Sequence, residues 1–132
     1  MRIAITFLLF LASLAGPIQA QAPSETALKV AYIYNFLKYV KWQDEEQISE
    51  FVIGVYGDDG QLQGELSRLL ASRSVRDRSI RTIGVDDLEL ARDVHLLVLA
   101  RSKNEDIGHV ANELRRSNTL LVTDGCSAKQ LI

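Results

Sequence analysis

The chain has 132 residues, a net charge of −2 at neutral pH and 47% hydrophobic residues, a composition that predicts one folded domain. The nearly balanced charge excludes a general affinity for nucleic acid or for anionic lipid surfaces. Cys126 is the only cysteine, which excludes an internal disulfide, so a packed core has to stabilise the fold.

The N-terminus is predicted to be a cleavable signal peptide. Arg2 precedes an apolar run over residues 3–15, and a break at Gly16-Pro17 leads to small residues ending at Ala20. The apolar run is too short to span a bilayer comfortably, since spanning takes about 20 residues. We therefore expect cleavage after Ala20, export to the periplasm and a single mature domain over residues 21–132.

A long helix is predicted from residue 25 to about residue 42, with Ser24 as its N-cap. Its apolar side chains cover a broad arc of the helical wheel, which indicates burial on more than one side. They are Leu28, Val30, Tyr32, Ile33, Phe36, Leu37, Tyr39 and Val40. Tyr34, Lys38 and Trp42 fall on the polar side and are predicted to be exposed. Because Tyr and Trp are favoured at protein interfaces, these three residues are candidate partner-binding residues.

Strands and amphipathic helices alternate along the rest of the chain. Strands are predicted at residues 51–56, 79–83, 95–100 and 119–123. Helices are predicted from Leu62, around residues 86–90 and from Asn104, and residues 72–78 are predicted to be a polar connection. The strand at 95–100 is almost entirely apolar, as expected of a central strand covered on both faces. The alternation predicts an α/β protein, a three-layer αβα sandwich with a mainly parallel sheet.

Two acidic residues, Asp58 and Asp59, directly follow the first of these strands. Their position resembles the acidic pocket of phosphorylated receiver domains, where carboxylates hold Mg²⁺. The strand at 95–100 is followed by Arg101 and Ser102, however, and not by a phosphoacceptor aspartate. We favour a tight turn that caps the next helix. Because these four residues follow parallel strands, they also mark a possible ligand site at the carboxyl ends of the sheet.

The sequence contains no pattern typical of a metal site or of a catalytic site. His95, His109 and Cys126 are residue types that bind metals, but they lie on three separate elements without the close spacing of metal ligands. No Gly-x-Ser-x-Gly nucleophile elbow is present. We expect no enzymatic activity, no catalytic residue, no metal and no cofactor.

A basic group extends from the connection after the helix that begins at Leu62 into the strand at 79–83. Its members are Arg73, Arg76, Arg78 and Arg81, with Asp77 interrupting the run. Two interpretations stay open, a solvated loop and a contact for an acidic partner surface.

Residues 31–42 of the first helix read AYIYNFLKYVKW. This run has a small residue, two tyrosines around an aliphatic residue, Asn-Phe, a basic residue, an aromatic residue and a tryptophan. In these features it resembles the opening helix of the YfiR-like family (YfiR/HmsC type). Strand ends at Gly57-Asp58-Asp59, Arg101-Ser102 and Thr123-Asp124 follow in the order that this family has.

The resemblance implies a periplasmic α/β sandwich that binds proteins and is not an enzyme. The namesake represses an inner-membrane diguanylate cyclase of the YfiN type by engaging its periplasmic region, and an outer-membrane YfiB-type lipoprotein relieves that repression. The output is the level of cyclic di-GMP and hence biofilm formation. The chain is accordingly expected to be a periplasmic regulatory binding protein that inhibits a membrane-bound signalling enzyme. The alternative is a periplasmic small-molecule-binding receptor subunit for another membrane sensor, with its ligand near Asp58, Asp59, Arg101 and Ser102.

Two departures from the family pattern matter. The namesake type uses disulfides, so redox control of stability does not carry over to a chain whose only cysteine is Cys126. The family domain also continues past Thr123-Asp124 into an apolar strand and a last helix, whereas this sequence stops at Ile132. We therefore expect a domain shortened at its C-terminus, with a sheet edge and part of the core uncovered. Three consequences stay open: an unstable protein, a homodimer formed through that edge, or an inactive protein.

Overall fold

The computed structural model describes residues 21–57 and 60–125. Within these ranges the chain forms one five-stranded sheet between two layers of helices. The predicted signal peptide, the turn at Asp58-Asp59, Cys126 and the residues that follow it lie outside the described part of the chain. In that described part, no helix is long and apolar enough to cross a membrane.

Helices and strands alternate as the sequence predicts. In chain order they are α1 (Glu25–Tyr39), β1 (Glu50–Tyr56), α2 (Gln61–Leu70), β2 (Ser74–Val75), β3 (Arg78–Val85), α3 (Leu88–Ala91), β4 (Leu96–Leu99), α4 (Ile107–Glu113) and β5 (Leu120–Thr123). Short 3₁₀ turns lie at Glu45–Gln47, Arg101–Asp106 and Leu114–Arg116. The predicted α/β class is confirmed. Residues 72–78, predicted to be only a polar connection, contain the short strand β2.

The sheet has the strand order β2-β3-β1-β4-β5. Strands β3, β1, β4 and β5 run parallel, while β2 pairs with β3 in the antiparallel direction. After β1 the chain moves outward to β3 and then returns past β1 to β4. The order of the strands therefore reverses between β1 and β4, which is where open α/β sheets usually bind ligands.

Side chains of β1 and β4 alternate between two apolar cores. Phe51, Ile53 and Val55 of β1 and Leu96 and Val98 of β4 face the layer of α1 and α2. Val52, Leu97 and Leu99 belong to the core beneath α3 and α4. All four residues of β4 are buried, so the prediction of a strand covered on both faces is confirmed.

Helix α1 is shorter and less buried than predicted. The Ser24 hydroxyl accepts a hydrogen bond from the main-chain N–H of Ala27 at 3.1 Å, which confirms the predicted N-cap. The buried residues of α1 are Val30, Ile33 and Leu37. The exposed apolar residues are Leu28, Tyr32, Phe36 and Tyr39. The prediction of burial on more than one side is wrong, because only one side of α1 packs against the sheet.

An arginine from the β2–β3 turn meets the C-terminal end of α1. The guanidinium of Arg76 donates to the main-chain oxygens of Leu37 (3.1 Å), Lys38 (2.8 Å) and Val40 (3.3 Å). Arg76 and Asp77 form the two-residue turn of the hairpin, with φ of +47° and +64°. Positive φ at both positions is the pattern of a type I′ turn, which matches the twist of paired strands. Arg76 therefore joins the hairpin to the C-terminus of α1.

Candidate functional site

Trp42 is buried beside the sheet, with 8% of its surface exposed. Its ring packs against Phe51, with ring centroids 5.3 Å apart, and its indole N–H donates to the carbonyl oxygen of His95 at 3.0 Å. Because α1 ends at Tyr39, Trp42 does not continue the polar side of that helix, and an extended Val40 redirects the chain. The prediction that Trp42 is exposed is wrong, which removes the reason for treating it as a partner-binding residue.

Tyr34 and Lys38, the other two candidate partner-binding residues, lie together at the surface. The Lys38 ammonium is 5.5 Å from the centroid of the Tyr34 ring, and the Arg73 guanidinium is 5.7 Å from it. The Tyr34 hydroxyl donates to the carbonyl oxygen of Ser74 at 3.1 Å, so the half-buried ring is held in place. Tyr34, Lys38 and Arg73 are called the basic–aromatic cluster below. Two cations over one fixed aromatic ring suit a partner surface that carries carboxylates.

Most of the basic group predicted from the sequence is used within the fold. Arg76 caps α1 and forms an ion pair with Glu45, and Arg78 donates to the main-chain oxygen of Glu45 at 3.1 Å. Arg81 pairs with a carboxylate of β1 at 2.9 Å. The Arg76 guanidinium holds the pKa of Glu45 below its usual value. Arg73, in contrast, belongs to the basic–aromatic cluster, with its guanidinium over the ring of Tyr34.

A polar cleft of about 310 Å³ lies at the carboxyl ends of the strands. It is lined by Thr26, Lys29, Gly57, Gln61, Leu62, Ala100, Arg101, Ser102 and Asp124. Arg101 and Ser102, predicted to belong to a ligand site, do line this cleft, whereas Asp58 and Asp59 lie outside the described residues. The cleft is located where the strand order reverses between β1 and β4.

Charged groups of α1 and β5 meet across this cleft. The Lys29 ammonium is 2.8 Å from Glu25 and 3.0 Å from Asp124, and the Arg101 guanidinium is 3.5 Å from Asp124. The hydrogen bond between Lys29 and Glu25 lowers the pKa of the Glu25 carboxyl group and raises the pKa of the Lys29 ammonium group. Sequence reasoning missed Lys29, because no local pattern indicates that a helix residue reaches the end of β5. Asp124 follows the end of a predicted parallel strand, as Arg101 does, and could have been predicted to belong to the ligand site on the same ground.

An apolar groove of about 240 Å³ runs between α1 and β5 and adjoins the polar cleft. It is lined by Lys29, Tyr32, Ile33, Phe36, Leu62, Val98, Val122, Thr123 and Asp124. Sequence reasoning missed this groove, because it assigned Tyr32 and Phe36 to the core.

The comparisons with known proteins assign the family. A family model described as YfiR/HmsC-like matches residues 26–132. The chain belongs to the YfiR/HmsC-like family. No curated protein matches the sequence significantly. The matched residues include nearly all of α1 and every later helix and strand described above, so the basic–aromatic cluster, the cleft and the groove of this chain all lie within the matched region.

The YfiR/HmsC-like family is regulatory rather than catalytic, and the surfaces described above are therefore interpreted as binding surfaces. Within residues 21–57 and 60–125, no group of three or more His, Cys, Asp or Glu residues is placed to hold a metal ion. In this YfiR/HmsC-like chain, His95 has a structural role in the core. Its Nδ1 accepts the main-chain N–H of Val52 at 2.9 Å, and burial lowers the pKa of its ring.

Proposed function

We propose that this YfiR/HmsC-like protein is a periplasmic regulator that inhibits a membrane-bound signalling enzyme, a diguanylate cyclase of the YfiN type. The observation that carries the proposal is the family match over residues 26–132. The inhibited enzyme makes less cyclic di-GMP, and biofilm formation falls. An outer-membrane lipoprotein of the YfiB type is the corresponding partner for release of the inhibition.

The physical mechanism is a population shift. A regulator that binds the periplasmic region of the cyclase only in its inactive form increases the population of that form, and the membrane-spanning part transmits the state to the cytoplasm. The shift can be no larger than the difference in affinity for the two forms, and each tenfold of preference supplies about 1.4 kcal/mol. Inhibition therefore requires a contact surface that discriminates between two arrangements of the receptor.

The basic–aromatic cluster is the contact surface that we propose for the receptor. Lys38 and Arg73 are exposed around the fixed ring of Tyr34, so they can pair with carboxylates of a partner without disturbing the core. Complementary charge accelerates encounter and fixes the orientation of the two proteins. The half-buried aromatic ring between them can supply apolar contact area at the centre of such an interface.

The first experiment measures intracellular cyclic di-GMP in the source bacterium with and without the gene. We expect deletion to raise cyclic di-GMP, and we expect complementation with the 132-residue sequence to restore the original level. An unchanged level in the deletion strain would count against inhibition of a cyclase.

A second experiment tests the proposed contact surface. The double variant Lys38→Glu/Arg73→Glu should weaken binding to the purified periplasmic region of the cyclase by about tenfold or more, because two attractive charges become repulsive. Arg115→Glu/Arg116→Glu is the matched control, since it makes the same change of charge at exposed positions after α4. Equal loss of affinity in both variants would show a nonspecific charge effect and argue against the cluster as the contact.

The polar cleft supports a second candidate function, a small-molecule receptor subunit for another membrane sensor. Its volume of about 310 Å³ and its place at the reversal of strand order are typical of ligand sites in α/β proteins. Thermal unfolding in the presence of a library of small molecules tests this candidate. A ligand of the cleft should raise the unfolding temperature, and the variant Arg101→Ala/Ser102→Ala should lose that increase. No increase across a broad library would count against it.

A further inference from the structure

A second groove lies between α1 and α2, and it is called the α1–α2 groove below. It has a volume of about 340 Å³ and is lined by Ala27, Val30, Ala31, Tyr34, Asn35, Leu69, Leu70 and Arg73. Val30 and Leu70 are buried and lie at its base, whereas Ala31 and Asn35 are exposed at its rim. The base of the groove is therefore apolar, and its mouth is open to the solvent.

Small side chains keep this groove open. Ala27 and Ala31 are four residues apart, so they lie one above the other on the side of α1 that faces α2. Neither has atoms beyond Cβ that could fill the space between the two helices. Because a helix rises about 1.5 Å per residue, the seven residues from Ala27 to Tyr34 give the groove a length of about 10 Å. This length accommodates a short segment of a partner chain, about three residues if the segment is extended.

The α1–α2 groove faces away from the surface between α1 and β5. Tyr32 and Phe36 line the apolar groove beside β5, while Ala27, Ala31 and Tyr34 line the α1–α2 groove. At 100° per residue these two sets lie on opposite sides of α1. Every residue that lines the α1–α2 groove belongs to the described part of the chain, as do its neighbours in sequence.

Two cations lie at one end of the groove. Arg73 lines it, and the guanidinium of Arg73 and the ammonium of Lys38 are 5.7 and 5.5 Å from the centroid of the Tyr34 ring. In the described part of the chain neither cation forms an ion pair, whereas Arg68 on α2 pairs with Glu65 at 2.8 Å. The groove therefore combines an apolar base with positive charge that the described fold does not neutralise.

We propose that the α1–α2 groove receives a large apolar side chain of the receptor, and that a carboxylate near this side chain pairs with Arg73 and Lys38. This inference rests on the function proposed above and adds to it the chemistry of the partner. The recognised part of the receptor is then an acidic segment with one apolar anchor, and the two groups lie within about 10 Å of each other.

The charge of the groove favours an acidic partner over a second copy of this chain. In a symmetric dimer formed through the groove the same surface contacts itself, so Arg73 and Lys38 of one copy would face those of the other. Like charges brought together at an interface repel each other and disfavour this arrangement. A carboxylate of a different protein removes the repulsion and forms charge-assisted hydrogen bonds with the cations.

The two parts of the contact affect different rates of binding. An apolar side chain buried in a pocket provides much of the affinity of an interface, and its loss acts mainly on the dissociation rate. Exposed charges accelerate encounter and orient the partner, so they act mainly on the association rate and on its dependence on salt. The groove and the two cations can therefore be tested separately.

The kinetics of binding to the intact diguanylate cyclase of the source bacterium, held in lipid nanodiscs, test the proposal. Ala31→Leu fills the groove from an exposed helical position, where leucine is well tolerated. We expect it to raise the dissociation constant by about tenfold or more, mainly through faster dissociation. Ala111→Leu is the matched control, since it makes the same change at an exposed position of α4, and it should bind as the wild type does.

The variant Lys38→Glu/Arg73→Glu provides the comparison for the charges. It should slow association more strongly at low salt than at high salt, because salt screens the reversed charges. Ala31→Leu changes no charge, so it should leave the dependence of the association rate on salt unchanged. Far-ultraviolet circular dichroism and the unfolding temperature establish that each variant is folded.

Two results would overturn the inference, and they differ in what they say about the proposed function. If Ala31→Leu binds as tightly as the wild type, or if Ala111→Leu weakens binding as much, no side chain of the receptor occupies the groove, and the proposed function stands without it. If the wild-type chain does not bind the cyclase at any concentration tested, the proposed function fails, and the inference fails with it.

Discussion

The indole N–H of Trp42 donates to the main-chain oxygen of His95 at 3.0 Å, and this bond ties the segment after α1 to the start of β4. The imidazole of His95 in turn accepts the N–H of Val52 on β1 at 2.9 Å. The ring of Phe51 packs against both neighbours, 5.3 Å from Trp42 and 5.5 Å from His95 between centroids. Three elements are thus joined by three aromatic rings, and Trp42 contributes to the stability of the domain.

Trp42→Ala should lower the free energy of unfolding by about 3–5 kcal/mol, because it leaves a cavity between Phe51 and His95. Trp42→Phe keeps an aromatic ring but loses the N–H donor, so it should cost about 1–2 kcal/mol. Urea unfolding followed by circular dichroism measures both values. The control Leu90→Ala truncates an exposed side chain and should stay within about 0.5 kcal/mol of the wild type. A Trp42→Ala variant as stable as this control would contradict the buried position.

The burial of His95 makes stability depend on pH. Burial holds the pKa of His95 below its ordinary value of 6.5, so the unfolded chain binds a proton more readily than the folded chain does. Stability should therefore be constant above about pH 7 and fall as the pH drops below 6.5, with a slope of at most about 1.4 kcal/mol per pH unit, until the pH passes the lowered pKa. Urea unfolding at a series of pH values between 5 and 8 measures this slope.

Replacing the ring isolates its contribution to the slope. His95→Gln removes the titrating group, so the part of the slope between pH 5 and 7 that comes from this residue should disappear. His109→Gln is the matched control, because His109 is exposed on α4. If the slope is the same in His95→Gln as in the wild type, another group causes the acid sensitivity.

The layers of the fold could be predicted because they follow from local patterns. The continuous apolar run of β4 indicates a strand buried on both faces, and all four residues of this strand are buried. The hydroxyl of Ser24 is followed by an acidic residue in the first turn of the helix, and this local pattern indicates an N-cap. Among the candidate residues, Arg101 and Ser102 reach the cleft because the carboxyl ends of parallel strands meet at one edge of a sheet.

The C-terminus of α1 and its surface could not be predicted because they depend on contacts distant in sequence. The guanidinium that meets the last carbonyl groups of α1 belongs to Arg76, whose role nothing in residues 25–42 indicates. Once the helix ends at Tyr39, the helical wheel no longer applies to Trp42. A broad apolar arc also does not show which of its residues are buried. Tyr32 and Phe36 are residue types common in protein cores, yet both are exposed at the surface.

Arg76→Ala should destabilise the domain by about 1–3 kcal/mol, because it removes a charged donor from the main-chain oxygens at the end of α1 and takes from Glu45 the nearer of its two arginine partners. Arg76→Gly removes the same guanidinium but accepts the positive φ without strain, so it should be less harmful by about 1 kcal/mol. Chemical denaturation gives both values. Arg73→Ala, an exposed neighbour in the same basic group, should stay within about 0.5 kcal/mol of the wild type. Equal losses at positions 73 and 76 would contradict the capping role.

The glycine at the centre of β1 packs where a side chain does not fit. A Cβ atom at Gly54 would lie 2.8 Å from Cγ2 of Val85 and 3.2 Å from Cγ1 of Val94, both in the core beneath α3 and α4. Gly54→Ala should therefore cost about 1–3 kcal/mol of unfolding free energy through overpacking. Gly64→Ala on α2 is the matched control, because no atom lies within 4 Å of its added Cβ and alanine favours the helix by about 0.5–1 kcal/mol. The double variant Gly54→Ala/Val85→Ala removes the closest of these contacts, so the two single costs should add only in part. Simple additivity would show that crowding against Val85 is not the cause.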